Sequence, residues 1–308
     1  MSATSFSALN DALLNLLWRQ WHELGAPAAR QKSAATRSII DPEALVLCSL
    51  AMVQREPRLG DALVSWCATN SEHLSAQRLK NLARDYPAGV QALLPGLAHV
   101  MVMAGKDSRW RPLAGATSAF PALLAQRGRK QSTVVPLDRP PAFLLRMRAV
   151  FGLGLRADII VFLLRKRDSQ DYSDAGEIAR AIGYNRTAVK RTLDVLEAAG
   201  ALSTTGGANP GYAIGWSRAY DLLSKEIERL PHWKYAHQTF LWAIALLEGR
   251  ANLMTGPEYL RHIALGRLLR QHSLFLATDA QILDHSELRR TPSLSAVAGV
   301  TTSWLKGV

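Results

Sequence analysis

Apolar residues recur along most of this chain at the spacing of helices, and one stretch breaks into the alternation of strands. Over residues 11–24, Leu13, Leu17, Trp21 and Leu24 share one face of an amphipathic helix. Asp41-Pro42-Glu43 opens the next helix in the order of cap, proline in the first turn and acid near the helix N-terminus, and Pro57 must lie beyond its end. The pattern predicts helices over 59–69 and 75–85, then an apolar one over 88–104 that Pro95 is expected to break. A short helix over 143–150, a turn over 151–154 and an apolar helix over 156–167 follow.

Past residue 216 the pattern is helical again. Leu222, Leu223, Ile227 and Leu230 line one side of 217–231, and 237–247 is apolar nearly all round, so it is expected to be buried within the protein or between subunits. Thr255 to Glu258 reads as a capping box starting a helix that runs to about His272. The tail after Thr291 is small and polar with isolated apolar residues, which predicts poor order unless it docks.

The exception is Ser173 to Trp216. Ser173 or Asp174 can cap a helix over 175–182, with Ser173 and Glu177 forming a capping box. Gly183 stands where a left-handed residue ends a helix, and Asn185 is the next N-cap. From Arg186 to Ala199, Val189, Leu193 and Leu196 form a core-facing stripe, while Arg186, Thr187, Lys190 and Arg191 lie on the other side. Gly200 stops that helix. Residues 201–204 suit a strand, Tyr212, Ile214 and Trp216 a returning strand, and Thr205 to Gly211 the flexible tip between them.

This segment resembles a winged helix-turn-helix of the MarR/ArsR-like kind. The resemblance rests on Glu177-Ile178-Ala179, Asn185, Lys190-Arg191 and Leu196-Glu197-Ala198-Ala199-Gly200-Ala201-Leu202. It covers roughly residues 155–216 and implies duplex DNA binding with the second helix in the major groove, usually as a homodimer reading half-sites about 34–36 Å apart. Asn185 and the first-turn amides then suit phosphate contacts, and Thr187, Lys190 and Arg191 are placed to read base edges. Arg186, Gly207 and Asn209 complete the expected contact surface. The tip carries no Arg or Lys between Thr204 and Gly215, a departure from many winged-helix repressors.

Charge strengthens the expectation of an anionic partner. The formal net charge is +12 and the pI about 10.1. Residues 105–167 carry 13 Lys/Arg against 3 Asp/Glu, whereas 168–216 carry 4 against 6, so nearly all the excess precedes the helix-turn-helix. Within it, 105–140 is rich in Gly, Pro, Ser and Arg and reads as a partly extended basic linker. Arg127, Arg129 and Lys130 in the linker, with Arg146 and Arg148 in the helix beyond it, are candidate phosphate contacts.

The chain is therefore expected to be mainly α: a helical domain over 1–104, the linker over 105–140, the winged domain over 141–216 and a helical region over 217–308. The last, or the N-terminal bundle, would supply a dimer interface. Residues 61–69 and 75–84 form a possible second helix-turn-helix presenting Gln77, Arg78 and Lys80, but a plain helical bundle is preferred because the joint lacks a glycine.

Other chemistry is thin. No Lys-Ser/Thr phosphate loop, His-Glu-x-x-His or Gly-x-Ser-x-Gly is present, so no enzyme activity, cofactor or metal is expected. Cys48 and Cys67 read as core residues of a protein in a reducing cytoplasm. The N-terminus has no signal-peptide pattern, and no run reaches the roughly 20 apolar residues of a membrane span. His232 and His237 frame a stretch with the aromatic residues Trp233 and Tyr235, for which packing is preferred over a ligand pocket. Two rival readings stand beside DNA binding: a winged-helix interaction module without sequence-specific DNA affinity, and an enzyme with an unrecognised site in the N-terminal domain.

Overall fold

The computed structural model describes residues 3–26, 38–115, 134–164, 172–215, 236–272 and 294–307. It is mainly helical, with one small antiparallel sheet. Helix α1 spans Ala3–Glu23, eight residues earlier than its expected start, because Phe6 and Leu9 extend the buried stripe of Leu13 and Leu17. Helix α2, Pro42–Met52, is capped by Asp41, whose side chain accepts the Ala44 N–H at 3.1 Å. It is buried on almost every side and forms the centre of the molecule.

Helices α3 (Pro57–Asn70), α4 (Ala76–Ala83) and α5 (Ala88–Met103) pack around it. Contrary to the expected break, α5 runs unbroken through Pro95. A proline inside a helix costs about 3 kcal/mol. Burial of Val90, Leu94, Leu97 and Met101 on the core side, at roughly 1.5–3 kcal/mol each, outweighs that. Trp21 and Trp66 meet edge-on at 5.2 Å, and their indole N–H groups donate to Ser49 Oγ and the Leu24 carbonyl. Cys48 and Cys67 are fully buried free thiols, and burial pushes both thiols up, which makes them inert packing residues.

Two parts of the chain expected to hang loose are docked. Within the basic linker, Trp110 is fully buried, and Asp107 receives hydrogen bonds from Trp110 Nε1, Ser71 and Arg109. After helices α6 (Phe143–Phe151), α7 (Leu155–Leu164), α8 (Ala175–Ile182) and α9 (Arg186–Ala198) come α10 (Ala236–Glu248), α11 (Arg250–Met254), α12 (Glu258–Gln271) and α13 (Leu294–Gly307). The C-terminal tail is thus a helix. It lies along α1, burying Val297, Ala298 and Leu305, while Arg19 Nη2 donates to the Leu305 carbonyl at 3.1 Å.

The all-apolar α10 packs on α1 and α2, so this chain itself buries it. The N-terminal bundle and the helices after residue 217 therefore share one core among the described residues rather than standing apart. At the start of α12 the capping position is Pro257, which makes no side-chain cap bond. The helix expected over 217–231 and the aromatic stretch 233–235 lie outside the described residues. No helix among the described residues is long and apolar enough to cross a membrane.

The sheet has three strands in the order β1-β3-β2, one more than the sequence suggested: β1 (Ser173–Asp174), β2 (Leu202–Thr204) and β3 (Gly211–Ile214). Ser173 pairs with Tyr212, and Leu202 with Ile214. Two residues carry no alternation, so β1 exists only through its partner across the sheet.

Candidate nucleic-acid interface

Helices α8 and α9 meet through a turn that local chemistry determines. Asp174 is the N-cap of α8, accepting the N–H groups of Gly176 and Glu177 at 2.6 and 3.0 Å, and these bonds lower its pKa. Ser173, the other cap candidate, instead donates its hydroxyl to Glu177 at 2.7 Å. Gly183 ends α8 at φ +73°, in the left-handed region. An added Cβ there would also run into Leu82 of α4. Gly183→Ala is expected to cost about 1–2 kcal/mol for the backbone alone, more with the collision, read as a fall in unfolding free energy by denaturant titration.

Asn185 caps α9, its Oδ1 accepting the Thr187 N–H at 2.8 Å. That leaves its amide group exposed at the helix end. Val189, Leu193 and Leu196 are buried as expected and fix the roll of α9. The opposite face points outward, with Arg186, Thr187 and Arg191 exposed and Lys190 half-exposed.

Five of the candidate residues come together. Arg186, Thr187, Lys190, Arg191 and Asn209 line a groove of about 380 Å³ between the start of α9 and the hairpin tip. Arg186 Nη2 donates to Asn209 Oδ1 at 3.3 Å, which ties the helix to the tip. Lys190 is bonded to Asp194 and stands 5.5 Å from the Tyr212 ring centre; Asp194 and then Tyr212 raise its pKa. Gly206 and Gly207 turn the exposed tip at φ +73° and +87°. Arg180, on the last turn of α8, is an exposed cation at the turn that no sequence expectation named, although its place one turn before Gly183 put it there.

Other candidates stand elsewhere. Arg148 is not a phosphate contact: its side chain is 1% exposed and holds Asp158 and Glu43 at 2.7–3.0 Å. Arg146 is half-buried on α6, stacked 5.2 Å from the Phe143 ring centre. Arg127, Arg129 and Lys130 lie outside the described residues.

Arg148 belongs to a buried ionic cluster. Arg78, fully buried on α4, bonds Asp41 at 2.5 and 2.6 Å and Glu43 at 2.5 Å, and its Nε donates to the Ile182 carbonyl at 2.6 Å. Burial opposes the charge on both guanidiniums, but Asp41, Glu43 and Asp158 overcome it and hold them above their ordinary pKa. Burial likewise opposes ionisation of Asp41, yet Arg78 carries its pKa below the usual value. Tyr184 adds a bond to Ser75 Oγ at 3.2 Å. The cluster thus ties α2, α4, α6 and α7 to the end of α8, just before the turn, and it removes Arg78 from any second DNA-reading surface.

Among the described residues no three His, Cys, Asp or Glu side chains are grouped to hold a metal ion. No family model matches the chain, and neither a curated protein nor a solved structure is significantly similar to it.

Proposed function

We propose that this protein is a DNA-binding transcriptional regulator that reads duplex DNA with the first two turns of α9. The observation that carries the proposal is the convergence of Arg186, Thr187, Lys190 and Arg191 on one outward face, beside a hairpin tip whose glycines admit close approach. Two turns of α9 fit a major groove about 12 Å wide, and the exposed Asn185 amide with the first-turn N–H groups suits a flanking phosphate. Long-range attraction comes from the net charge of +12. The excess does not come from the paired arginines: Arg78 and Arg148 face three carboxylates in the core, and Arg109 and Arg139 are balanced by Asp107 and Glu23.

The chain buries the apolar helix α10 in its own core, so α10 is not the dimer interface. The homodimer that the resemblance implies stays part of the proposal, with its interface on another surface of the chain.

A second reading, a protein-interaction module, is favoured by the other half of α9. There Val195 is 53% exposed between Asp194 and Glu197, and the hairpin tip has no cation. Anisotropy titrations with the DNA upstream of the protein's own gene and with shuffled DNA, across a salt series, separate the two readings. The regulator reading expects a preference of about 10³ or more for the upstream DNA, lost in Lys190→Ala/Arg191→Ala. Arg191→Ala alone should lower specific affinity by about 1–3 kcal/mol while leaving the melting temperature unchanged. Equal binding of both DNAs, or none, removes the regulator reading.

A further inference from the structure

The helix-turn-helix turn has a second neighbour, a cleft of about 470 Å³ that no hairpin residue lines. Leu82 and Arg84 at the end of α4, Arg180 and Tyr184 at the turn, His237 of α10 and His272 at the end of α12 line it. This volume is within the range of small-molecule sites. Its wall is chemically unfinished. His237 and His272 are 2% and 7% exposed, yet His237 Nδ1 and both ring nitrogens of His272 make no hydrogen bond among the described residues. Buried polar atoms almost always find partners, and leaving them unpaired is costly.

The Gln238 amide nitrogen is 3.0 Å from His237 Nε2. If that amide donates, as its chemistry requires, Nε2 is the acceptor and the ring proton is assigned to Nδ1. His237, a lining residue of the cleft, then carries a buried N–H donor with no acceptor among the described residues. Two guanidiniums, Arg84 and Arg180, stand against one carboxylate, Asp85, so the charged lining is net positive.

We propose that this cleft binds a small organic anion, whose acceptor oxygens take the His237 N–H and a ring nitrogen of His272 and whose charge lies against Arg84 and Arg180. The turn residues Gly183, Tyr184 and Asn185 form part of the same wall, so an occupant touches the element that aims α9. Its regulatory meaning rests on the DNA-binding reading; the binding itself does not.

Saturation-transfer NMR of the full chain, without DNA, against one panel of small carboxylates and one of phosphate monoesters tests the site, and the panels distinguish the two anion types. At least one member should bind. Its Kd should rise at least about tenfold in His237→Phe and in Arg84→Ala/Arg180→Ala. The amide resonances of Gly183 and Asn185 should move on titration. The arginine pair is exposed, so that variant keeps the test valid even if His237→Phe fails to fold. Absence of any binder, equal binding by the arginine variant, or unmoved turn amides overturns the proposal, whatever the DNA titrations show.

Discussion

Arg78→Met is expected to lower the unfolding free energy by about 3–5 kcal/mol, the usual cost of removing one partner from a buried ion pair. The side chain is completely buried and serves Asp41, Glu43 and the Ile182 carbonyl together. Its removal leaves Arg148 alone against three buried carboxylates, Asp41, Glu43 and Asp158. Methionine retains much of the volume, so lost packing is the smaller part of the effect. Urea titration of both proteins measures the change. The cause is checked by Arg78→Met/Asp41→Asn: with one buried negative charge removed as well, the double variant should be more stable than Arg78→Met. If it is less stable by the full cost of a second independent deletion, uncompensated charge is not the reason.

Mild acid should weaken the fold through a buried histidine. Burial holds the His237 imidazole down to about 4, an effect that Arg78 adds to and Asp41 opposes. In the unfolded chain the same group titrates near 6.5. As the pH falls from about 6.5 to about 4, the unfolded state takes up a proton that the folded state refuses, so stability is lost across that window. The loss totals about 3 kcal/mol.

His73 and His272 are also lowered by burial and act with the same sign. Asp41, with its lowered pKa, loses its contribution only below the ordinary carboxylate range, so the two effects occupy different pH windows. Unfolding free energies measured between pH 7 and 4.5 should fall in the wild type, and clearly less in His237→Gln. Parallel curves for the two proteins would exclude His237 as the source.

Both expectations rest on groups whose roles no sequence pattern announced. Arg78 read as a surface charge because Gln77, Lys80 and Asn81 flank it, and Arg148 because it follows Arg146 in the most basic stretch of the chain. Glu43 read as an N-terminal helix acid, which it is, but α2 is enclosed and its carboxylate meets two guanidiniums from 35 and 105 residues away. Pairing over such separations leaves no local trace. The tail after Thr291 misled for a similar reason: its apolar residues are sparse, and helix α13 forms where α1 offers a surface to bury them.

The candidate interface was far more legible. Asn185, Gly183 and the Val189, Leu193, Leu196 stripe determine a cap, a turn and a buried face within a dozen residues, and they leave Arg186, Thr187, Lys190 and Arg191 nowhere but outward. What they do not determine is the company these residues keep. The Lys190 bond to Asp194 follows from a spacing of four on one helix, but the Arg186 bond to Asn209 needed the hairpin to close.

The sequence by itself determined most of the helices, the caps at Asp41, Asp174 and Asn185 and the outward face of α9, because these depend on contacts a few residues apart. Only the tertiary structure decided that α10 and α13 join the N-terminal core, that a third strand forms at Ser173, and that two arginines are internal ties. These are matters of burial and charge pairing between distant segments, and their free energy exists only once the chain is folded.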